Sequence, residues 1–296
     1  MTKVLIIGGS GFLGSHVADY FTKKKYNVTI FDQTKSPHLK KKQKFIFSNL
    51  KNFKSLEKAV KSSDIVYHFA AISDIGECIS KPYESAEINI SSTLKILNYC
   101  VKYKIKRLVF ASTIYVHSDQ GGFYRITKQA AEQYIEEYNK RFNLNYTILR
   151  FGTVYGPRSG KKNNLTRIIN EAYSKRILKY SGGTDKAVRR FIHINDATEA
   201  SYNILKNKFK NKNVLITGTK KIKITKVMKF LSHMLNINKK PIYEKKTENG
   251  HYDITPYTKK KKPEIKYPFR RSIDIKKGLT ELVKKLKPKS YLNLDK

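Results

Sequence analysis

Tyr124 and Lys128 stand four residues apart, a spacing that places both side chains on one face of a helix. A tyrosine phenol titrates at about 10 when nothing perturbs it, and a neighbouring ammonium group favours the phenolate and lowers that pKa. Such a phenolate can remove the proton of an alcohol while a hydride leaves the same carbon. Because Tyr-x-x-x-Lys is also a common chance pattern, the pair alone does not indicate a site.

Thr113 supplies the third residue that this chemistry needs. It follows the apolar run 107–111, which reads as a buried strand, so it lies where the carboxyl end of that strand is expected. Ligands bind at this edge of parallel α/β sheets. The Thr113 hydroxyl can hold the reacting oxygen close to Tyr124. We therefore predict Thr113, Tyr124 and Lys128 as catalytic residues.

Gly8, Gly11 and Gly14 lie in the stretch from the end of the first apolar run of the chain to the first turn of a helix predicted to begin at Phe12. Gly8 allows a tight turn, Gly11 lets a pyrophosphate approach the backbone, and Gly14 lets the helix pack closely on the strand. The free N–H groups and the positive dipole end of the helix then face the phosphates. This arrangement predicts a dinucleotide-binding turn.

Asp32 ends the second predicted strand, some twenty residues after the turn. A carboxylate at this place accepts hydrogen bonds from the adenosine ribose hydroxyls. Its charge repels a 2′-phosphate, which favours NAD over NADP, although Lys35 nearby weakens that preference. A turn or helix-capping aspartate is the alternative interpretation of Asp32.

Strands and helices alternate along the first half of the chain. The predicted strands are 3–7, 28–31, 45–47, 64–69, 107–111 and 146–150, and the predicted helices are 12–24, 53–60, 84–103 and 128–141. This order is typical of an α/β fold with a doubly wound parallel sheet, the Rossmann architecture. We expect a dinucleotide-binding domain over 1–155. A smaller C-terminal lobe is expected over 156–296, with segments near 186–218 returning to the main sheet.

The motifs resemble, in order, those of the extended short-chain dehydrogenases/reductases, in the NAD-dependent nucleotide-sugar epimerase/dehydratase family (UDP-glucose 4-epimerase-like). The matching elements are the glycine turn, 64–71 ending in Ala-Ala, 87–89, 110–113, the Tyr124/Lys128 pair, 150–158 and 189–196. The resemblance covers nearly the whole chain. It implies a C-terminal lobe that binds the substrate.

The same resemblance implies a role for each matching residue. Phe12, Leu13 and Asp32 would contact the adenosine half of NAD, and Asn49 stands where many members carry an Asp for the adenine. Residues implied to line the nicotinamide side are Phe69, Ala70, Ala71 and Asn89. Tyr124 and Lys128 are implied to contact the cofactor as well, Lys128 at the nicotinamide ribose. Thr113 and Thr153 would face the sugar, with Thr153 replacing a common Asn, and Arg189 would meet the substrate diphosphate. His68 and His193 are interpreted as structural.

The resemblance favours an epimerase of a nucleotide-diphosphate sugar, acting at C4 through a transient 4-keto sugar. Ile114 and Tyr115 stand where the dehydratase and decarboxylase branches carry an acidic residue, which argues against those reactions. Two alternatives stay open at this point. One is a dehydrogenase or reductase of the same family, and the other is a non-catalytic Rossmann protein that binds NAD and nucleic acid.

The composition argues against several classes of protein but does not itself indicate a function. There are 61 Lys+Arg against 23 Asp+Glu, a formal net charge of +38. Because most of the excess is Lys, spread along the chain and including the run 259–262, we interpret it as background, and nucleic acid is not an expected partner. Cys78 and Cys100 predict neither a disulfide framework nor a metal site. No apolar run reaches the ~20 residues of a membrane span. We expect a cytoplasmic protein without a metal. A homodimer through the helices near 84–103 and 128–141 is implied by the resemblance and not by the composition.

Overall fold

The computed structural model describes residues 1–244 and 264–288. These residues divide into two compact units. The first unit comprises Met1–Phe151, Ala197–Ile216 and 264–268, and the second comprises Gly152–Asp196, 217–244 and 269–288. The lysine run 259–262 lies outside the described residues.

The first unit is built on one sheet of eight parallel strands. They are β1 (Lys3–Ile7), β2 (Asn27–Asp32), β3 (Lys44–Phe47), β4 (Ile65–His68), β5 (Arg107–Thr113), β6 (Tyr146–Phe151), β11 (Lys212–Ile216) and β14 (Glu264–Lys266). Their order in space is β14-β11-β6-β5-β4-β1-β2-β3. Continuous apolar runs such as β1 and β5 are fully or almost fully buried, as strands covered on both faces must be. The predicted α/β fold with a doubly wound parallel sheet is confirmed.

The helices follow the strands in the chain. They are α1 (Phe12–Lys23), α2 (Phe53–Lys61), α3 (Ile75–Ser80), α4 (Pro82–Ala86), α5 (Ser92–Lys102), α6 (Gly122–Phe142), α7 (Asn164–Lys175), α8 (Ile194–Asn203), α9 (Ile224–Met234) and α10 (Ile275–Leu286). The apolar faces of α2, α5 and α6 pack on the sheet in one buried cluster that includes Leu56, Ile96 and Ile135. This packing fixes where the sheet presents the ends of its strands.

The second unit has its own core and only short strands. These are β7 (Thr153–Tyr155), β8 (Lys179–Tyr180), β9 (Val188–Arg189), β10 (Phe191–His193), β12 (Ile222–Lys223) and β13 (Ile242–Tyr243). They form three two-stranded ladders, β10 with β7, β12 with β9 and β13 with β8. The core joins α7, α9 and α10 through residues such as Ile168, Met228 and Leu282. The first unit ends at Phe151, four residues before the expected boundary, because β7 pairs with β10.

Two helices differ from the sequence prediction. The helix predicted over 84–103 is α4 followed by a π-helical turn, Glu87–Ser91, and then α5. The helix predicted from Lys128 begins six residues earlier, at Gly122, behind Gly121 with its positive φ of 99°. The adjacent glycines Gly121 and Gly122 are typical of a loop, so the sequence did not indicate the first turn of α6.

Candidate active site

The turn between β1 and α1 depends on its glycines. Gly8 has a φ of 83°, and a Cβ there would meet the backbone of Ala70. A Cβ on Gly14 would overlap the carbonyl oxygen of Gly8. Gly11 differs, because it is exposed and a Cβ there would meet only the Gly8 oxygen, at 3.3 Å. Gly8 and Gly14 thus hold the turn together, whereas Gly11 leaves its outer side open.

The open side of this turn suits an anionic dinucleotide. No side chain caps the N-terminus of α1 at Gly11, so its first N–H groups point outward. Among the described residues, the buried Ser10 hydroxyl finds no hydrogen-bond partner. Asp32 accepts hydrogen bonds from the backbone N–H of Ser10 and of Thr34, both at 3.0 Å. Asp32 therefore shapes a turn, as in the alternative interpretation, and also presents its carboxylate beside the glycine turn.

The other residues predicted to contact the cofactor lie at the same edge of the sheet, with the exception of Asn49. Phe69 N and Ala70 N both donate to the carbonyl oxygen of Ile7, at 2.8 and 3.0 Å, which joins the ends of β4 and β1. The partly exposed side chains there are Phe12, Leu13, Phe69, Ala70 and Ala71. Asn49 is exposed and accepts hydrogen bonds from the N–H groups of Lys51 and Asn52, and so forms the turn before α2.

Asn89 is buried at the centre of the π-helical turn. Its side-chain oxygen accepts from Ile72 N at 2.9 Å, and its side-chain nitrogen donates to Ile72 O at 2.9 Å. The same nitrogen donates to Thr127 Oγ1 in α6 at 3.1 Å. Asn89 therefore ties the segment after β4 to the helix that carries Tyr124 and Lys128.

Thr113, Tyr124 and Lys128 come together at the carboxyl end of β5. The Thr113 side chain is hydrogen-bonded to Tyr124. Lys128 is buried, and its Nζ donates to Ala111 O at 2.8 Å. This ammonium lies 4.6 Å from the ring centroid of Phe110 and 5.9 Å from that of Tyr124. The three predicted catalytic side chains thus form one group.

The protein surroundings raise the pKa of Tyr124. Burial raises it above its usual value, the neighbouring Cys78 raises it further, and only the hydrogen bond with Thr113 lowers it. The lowering expected from a neighbouring ammonium together with an oxidised nicotinamide stays a prediction, and the ammonium of Lys128 donates to the Ala111 carbonyl. The protein by itself holds Tyr124 as a neutral phenol.

A buried ion cluster lies behind this group, and we call it the Arg150 cluster: Ser112, His117, Glu132, Arg150 and Glu264. Arg150 donates to both carboxylate oxygens of Glu132, from Nε at 3.0 Å and from Nη2 at 2.7 Å. Its Nη1 donates to Glu264 Oε2 at 2.8 Å, and Ser112 Oγ donates to Glu132 Oε1 at 2.6 Å. Burial alone would lower the pKa of Arg150, but the two carboxylates raise it, so the guanidinium stays charged.

Sequence reasoning missed this cluster, although one of its members carried a signal. Glu132 follows Lys128 by four residues and so shares its helix face. Its negative charge raises the pKa of Lys128, whereas burial, the larger effect, lowers that pKa to about 8. Glu264 carried no local signal, because 114 residues separate it from Arg150.

The remaining predicted site residues lie in the second unit. Thr153 begins β7 and is partly exposed. Arg189, at the end of β9, is buried and donates from Nη2 to Gly182 O at 2.6 Å. His193 is buried, its Nδ1 accepts from Asn195 N at 3.3 Å, and its pKa is lowered to about 4 by burial. In the first unit His68 lies 3.0 Å from Thr93 Oγ1, and burial lowers its pKa to about 3.

Two further findings concern metal binding and membrane-spanning helices. Within 1–244 and 264–288, no group of three or more His, Cys, Asp or Glu side chains could hold a metal ion. In the same part of the chain, no helix is long and apolar enough to cross a membrane.

Comparison with known proteins decides the family. Residues 4–217 match the model of the NAD dependent epimerase/dehydratase family. The chain belongs to this family. It is 28% identical to the "Putative UDP-glucose 4-epimerase" of Methanocaldococcus jannaschii, over 96% of this chain and 98% of that one. This match confirms the predicted resemblance. The protein is an NAD-dependent enzyme of this family.

Solved structures share the fold of this family member. A UDP-glucose 4-epimerase from Thermotoga maritima, crystallised with UDP-glucose, superimposes with a TM-score of 0.84 at 21% identity, covering 100% of both chains. A UDP-glucuronic acid 4-epimerase from Bacillus cereus, in complex with UDP-glucuronic acid and NAD, gives a TM-score of 0.83 at 22% identity, covering 96% of this chain and 99% of that one. The glycine turn, Ser10 and Asp32 described above fit the NAD of the family.

The two glycines of the turn are expected to respond differently to alanine. Gly11→Ala should lower the thermal unfolding temperature only slightly, because its Cβ would meet the Gly8 carbonyl oxygen at 3.3 Å and a shift of a few tenths of an ångström relieves that contact. The same Cβ should weaken NAD binding about tenfold or more by filling the open side. Gly14→Ala should lower stability as well, because its Cβ overlaps backbone. Calorimetric titration with NAD and thermal unfolding measure the two effects. Gly160→Ala, where nothing lies within 4 Å, is the control. Wild-type NAD affinity in Gly11→Ala would contradict this role of the turn.

Burial of Lys128 is expected to make stability depend on pH. Its pKa is about 8 in the folded protein and 10.5 ordinarily, so between these values the unfolded chain holds a proton that the folded one has lost. Stability therefore rises with pH across this window, relative to Lys128→Met, by about 3 kcal/mol. Urea unfolding of both proteins at about pH 7 and about pH 10.5 measures the difference. The exposed Lys140→Met should show no such trend. If the difference in stability between the wild type and Lys128→Met does not change with pH, the lowered pKa of the buried Lys128 is contradicted.

Proposed function

We propose that the protein is an NAD-dependent epimerase of a nucleotide-diphosphate sugar, acting at C4 through a transient 4-keto sugar. The observation that carries this proposal is the group formed by Thr113, Tyr124 and Lys128 beside the glycine turn. Membership of the NAD dependent epimerase/dehydratase family supports it. So do the UDP-sugar 4-epimerases among its relatives and structural neighbours.

Each residue of the group has a distinct task in this reaction. Tyr124 takes the proton of the C4 hydroxyl and returns it to the C4 oxygen after the keto sugar has turned. Thr113 holds the same oxygen by a hydrogen bond, in reach of Tyr124. Lys128 presents its ammonium to the nicotinamide ribose, 5.9 Å from the ring centroid of Tyr124. When bound, oxidised NAD would supply the hydride acceptor and a positively charged ring, which favours the phenolate that the protein alone does not stabilise.

The other predicted site residues keep their roles as proposals. Asp32 binds the adenosine ribose, which favours NAD over NADP. The remaining proposed cofactor contacts are Gly8, Gly11, Phe12, Leu13, Gly14, Asn49, Phe69, Ala70, Ala71 and Asn89. Asn89 acts indirectly, by positioning Ile72, because its amide is hydrogen-bonded to the backbone of Ile72. Thr153 and Arg189 are the proposed substrate contacts, for the sugar and the diphosphate.

A panel of sugar nucleotides with catalytic NAD, followed by NMR, tests the proposal. We expect one pair of C4 epimers to interconvert without accumulation of NADH. Stoichiometric NADH with release of a keto product would instead indicate a dehydrogenase of the same family. Salt-sensitive binding of RNA or DNA, with no turnover of any sugar, would support the non-catalytic alternative.

A homodimer is also proposed, and it is supported by exposed apolar side chains on α3, α4 and α6. These are Ile79, Tyr83, Phe123, Ile126 and Tyr134. Sedimentation equilibrium should give twice the chain mass of 34.3 kDa. Ile126→Lys should shift the protein to monomer, whereas Ile242→Lys, equally exposed in the second unit, should not. A monomeric wild type would contradict the proposal.

A cytoplasmic location remains a proposal. It is supported by the free, buried thiols of Cys78 and Cys100, which are typical of a reducing compartment.

A further inference from the structure

The segment after Thr113 is held at its far end by two residues with no assigned role. This segment is a short 3₁₀ turn, Ile114–His117. His117 Nε2 lies 2.7 Å from Glu264 Oε2, and the same oxygen accepts from Arg150 Nη1 at 2.8 Å. Glu264 begins β14, the edge strand of the main sheet. One carboxylate oxygen thus joins the turn to the Arg150 cluster.

The hydrogen at this contact can be assigned from the chemistry of the partners. A carboxylate only accepts hydrogen bonds, so the imidazole must donate, and Nε2 of His117 therefore carries a proton. The 3.3 Å between Arg150 Nη1 and His117 Nε2 is then a contact between two donors that share one acceptor. The hydrogen bonds of His117 and Arg150 lower the pKa of Glu264 against the opposing effect of burial. A charged Glu264 is what holds both donors in place.

The turn is connected to the catalytic group at its other end. Tyr115 N donates to Thr113 Oγ1 at 3.2 Å, and the Tyr115 ring meets that of Tyr124 edge-on, with centroids 6.5 Å apart. Gln129 of α6 donates to Val116 O at 3.0 Å. Any movement of the turn therefore moves the hydroxyl of Thr113 relative to the phenol.

We propose that His117 and Glu264 are positioning residues, which lock the 3₁₀ turn and thereby align Thr113 with Tyr124 for proton transfer. The inference rests on the proposed function for its effect on turnover. Neither residue belongs to the group that meets substrate, so their loss should lower kcat and leave KM unchanged. A misplacement of the order of 1 Å is enough to cost ~10-fold or more in rate.

Substitution of His117 separates the hydrogen bond from the bulk of the ring. His117→Phe keeps a ring and loses the donor, whereas His117→Gln keeps an N–H donor at a similar reach. His233→Phe, at an exposed position in α9, is the matched control. Three quantities are measured for each protein: kcat and KM with the substrate found by the panel, the unfolding temperature, and hydrogen exchange of the amides of 113–118 without NAD.

We expect His117→Phe to lower kcat about tenfold with KM within about twofold, and to speed exchange of 113–118 by about tenfold. His117→Gln should keep most of the wild-type kcat and most of the slow exchange of 113–118, and His233→Phe should change neither. Unchanged exchange in His117→Phe, or faster exchange with wild-type kcat, would overturn the inference. A fall in activity that Gln does not rescue and that follows a lower unfolding temperature would also overturn it. If the wild type turns over no sugar nucleotide, the proposed function fails, and the exchange measurement still decides whether His117 locks the turn.

Discussion

Tyr124→Phe is expected to lower kcat by about 10³-fold, because the variant loses the group that moves the C4 hydroxyl proton. The ring and its packing remain, so the binding of NAD and the unfolding temperature should stay close to wild type. Steady-state rates on the nucleotide-sugar pair found by the panel measure the loss, and calorimetric titration measures NAD affinity. The large effect is expected because Tyr124 is the phenol hydrogen-bonded to Thr113 at the sheet edge.

The same helix offers a matched control for this substitution. Tyr134 also lies in α6 but is exposed, so Tyr134→Phe should change kcat by less than about twofold. Full turnover in Tyr124→Phe would refute its assignment as the proton-transfer residue. A loss of turnover together with lost NAD binding would instead mean that Tyr124 acts mainly by binding the cofactor.

Arg150→Met is expected to lower the free energy of unfolding by about 3–5 kcal/mol, the usual result of removing one partner of a buried ion pair. The guanidinium is 1% exposed and donates two hydrogen bonds to Glu132 and one to Glu264. Without it, the Glu132 carboxylate stays buried with a like-charged neighbour and fewer donors. Urea unfolding of the wild type and the variant measures the difference.

An exposed ion pair in the same helix gives the reference value. Arg141 donates to Glu137 at 2.8 Å on the surface, and Arg141→Met should cost less than about 1 kcal/mol. Adding Glu132→Leu to Arg150→Met should recover part of the loss, because the unpaired charge is then removed. A loss below about 1 kcal/mol in Arg150→Met would mean that the Arg150 cluster contributes little to stability.

The parts of the site that could be predicted from sequence are those whose geometry is local. The glycine turn is one case, since its spacing reflects close approaches that only glycine allows at Gly8 and Gly14. Tyr124 and Lys128 are another, because four residues along a helix bring two side chains together whatever surrounds them. The parallel sheet could be predicted because its buried strands are continuous apolar runs.

What could not be predicted depends on contacts distant in the chain. Nothing near Arg150 indicates that Glu264 completes its hydrogen bonds, and nothing near Asn89 indicates that its amide holds Ile72. The sequence placed the Lys128 ammonium near the phenol of Tyr124 but did not indicate its hydrogen-bond partner. The direction in which Lys128 points is set by the Ala111 carbonyl, which only the folded chain brings within reach.

The late arrival of β14 has a consequence for biosynthesis. Arg150 and Glu264 are 114 residues apart, and at about 5–20 residues per second the ribosome needs roughly 6–23 s to make the residues between them. During that time the nascent chain can already pair Arg150 with Glu132, and once β11 has been made its outer edge has no neighbouring strand until β14 follows. Unpaired strand edges associate with other chains. The emerging chain is therefore most exposed to aggregation in the interval between the synthesis of β11 and that of β14.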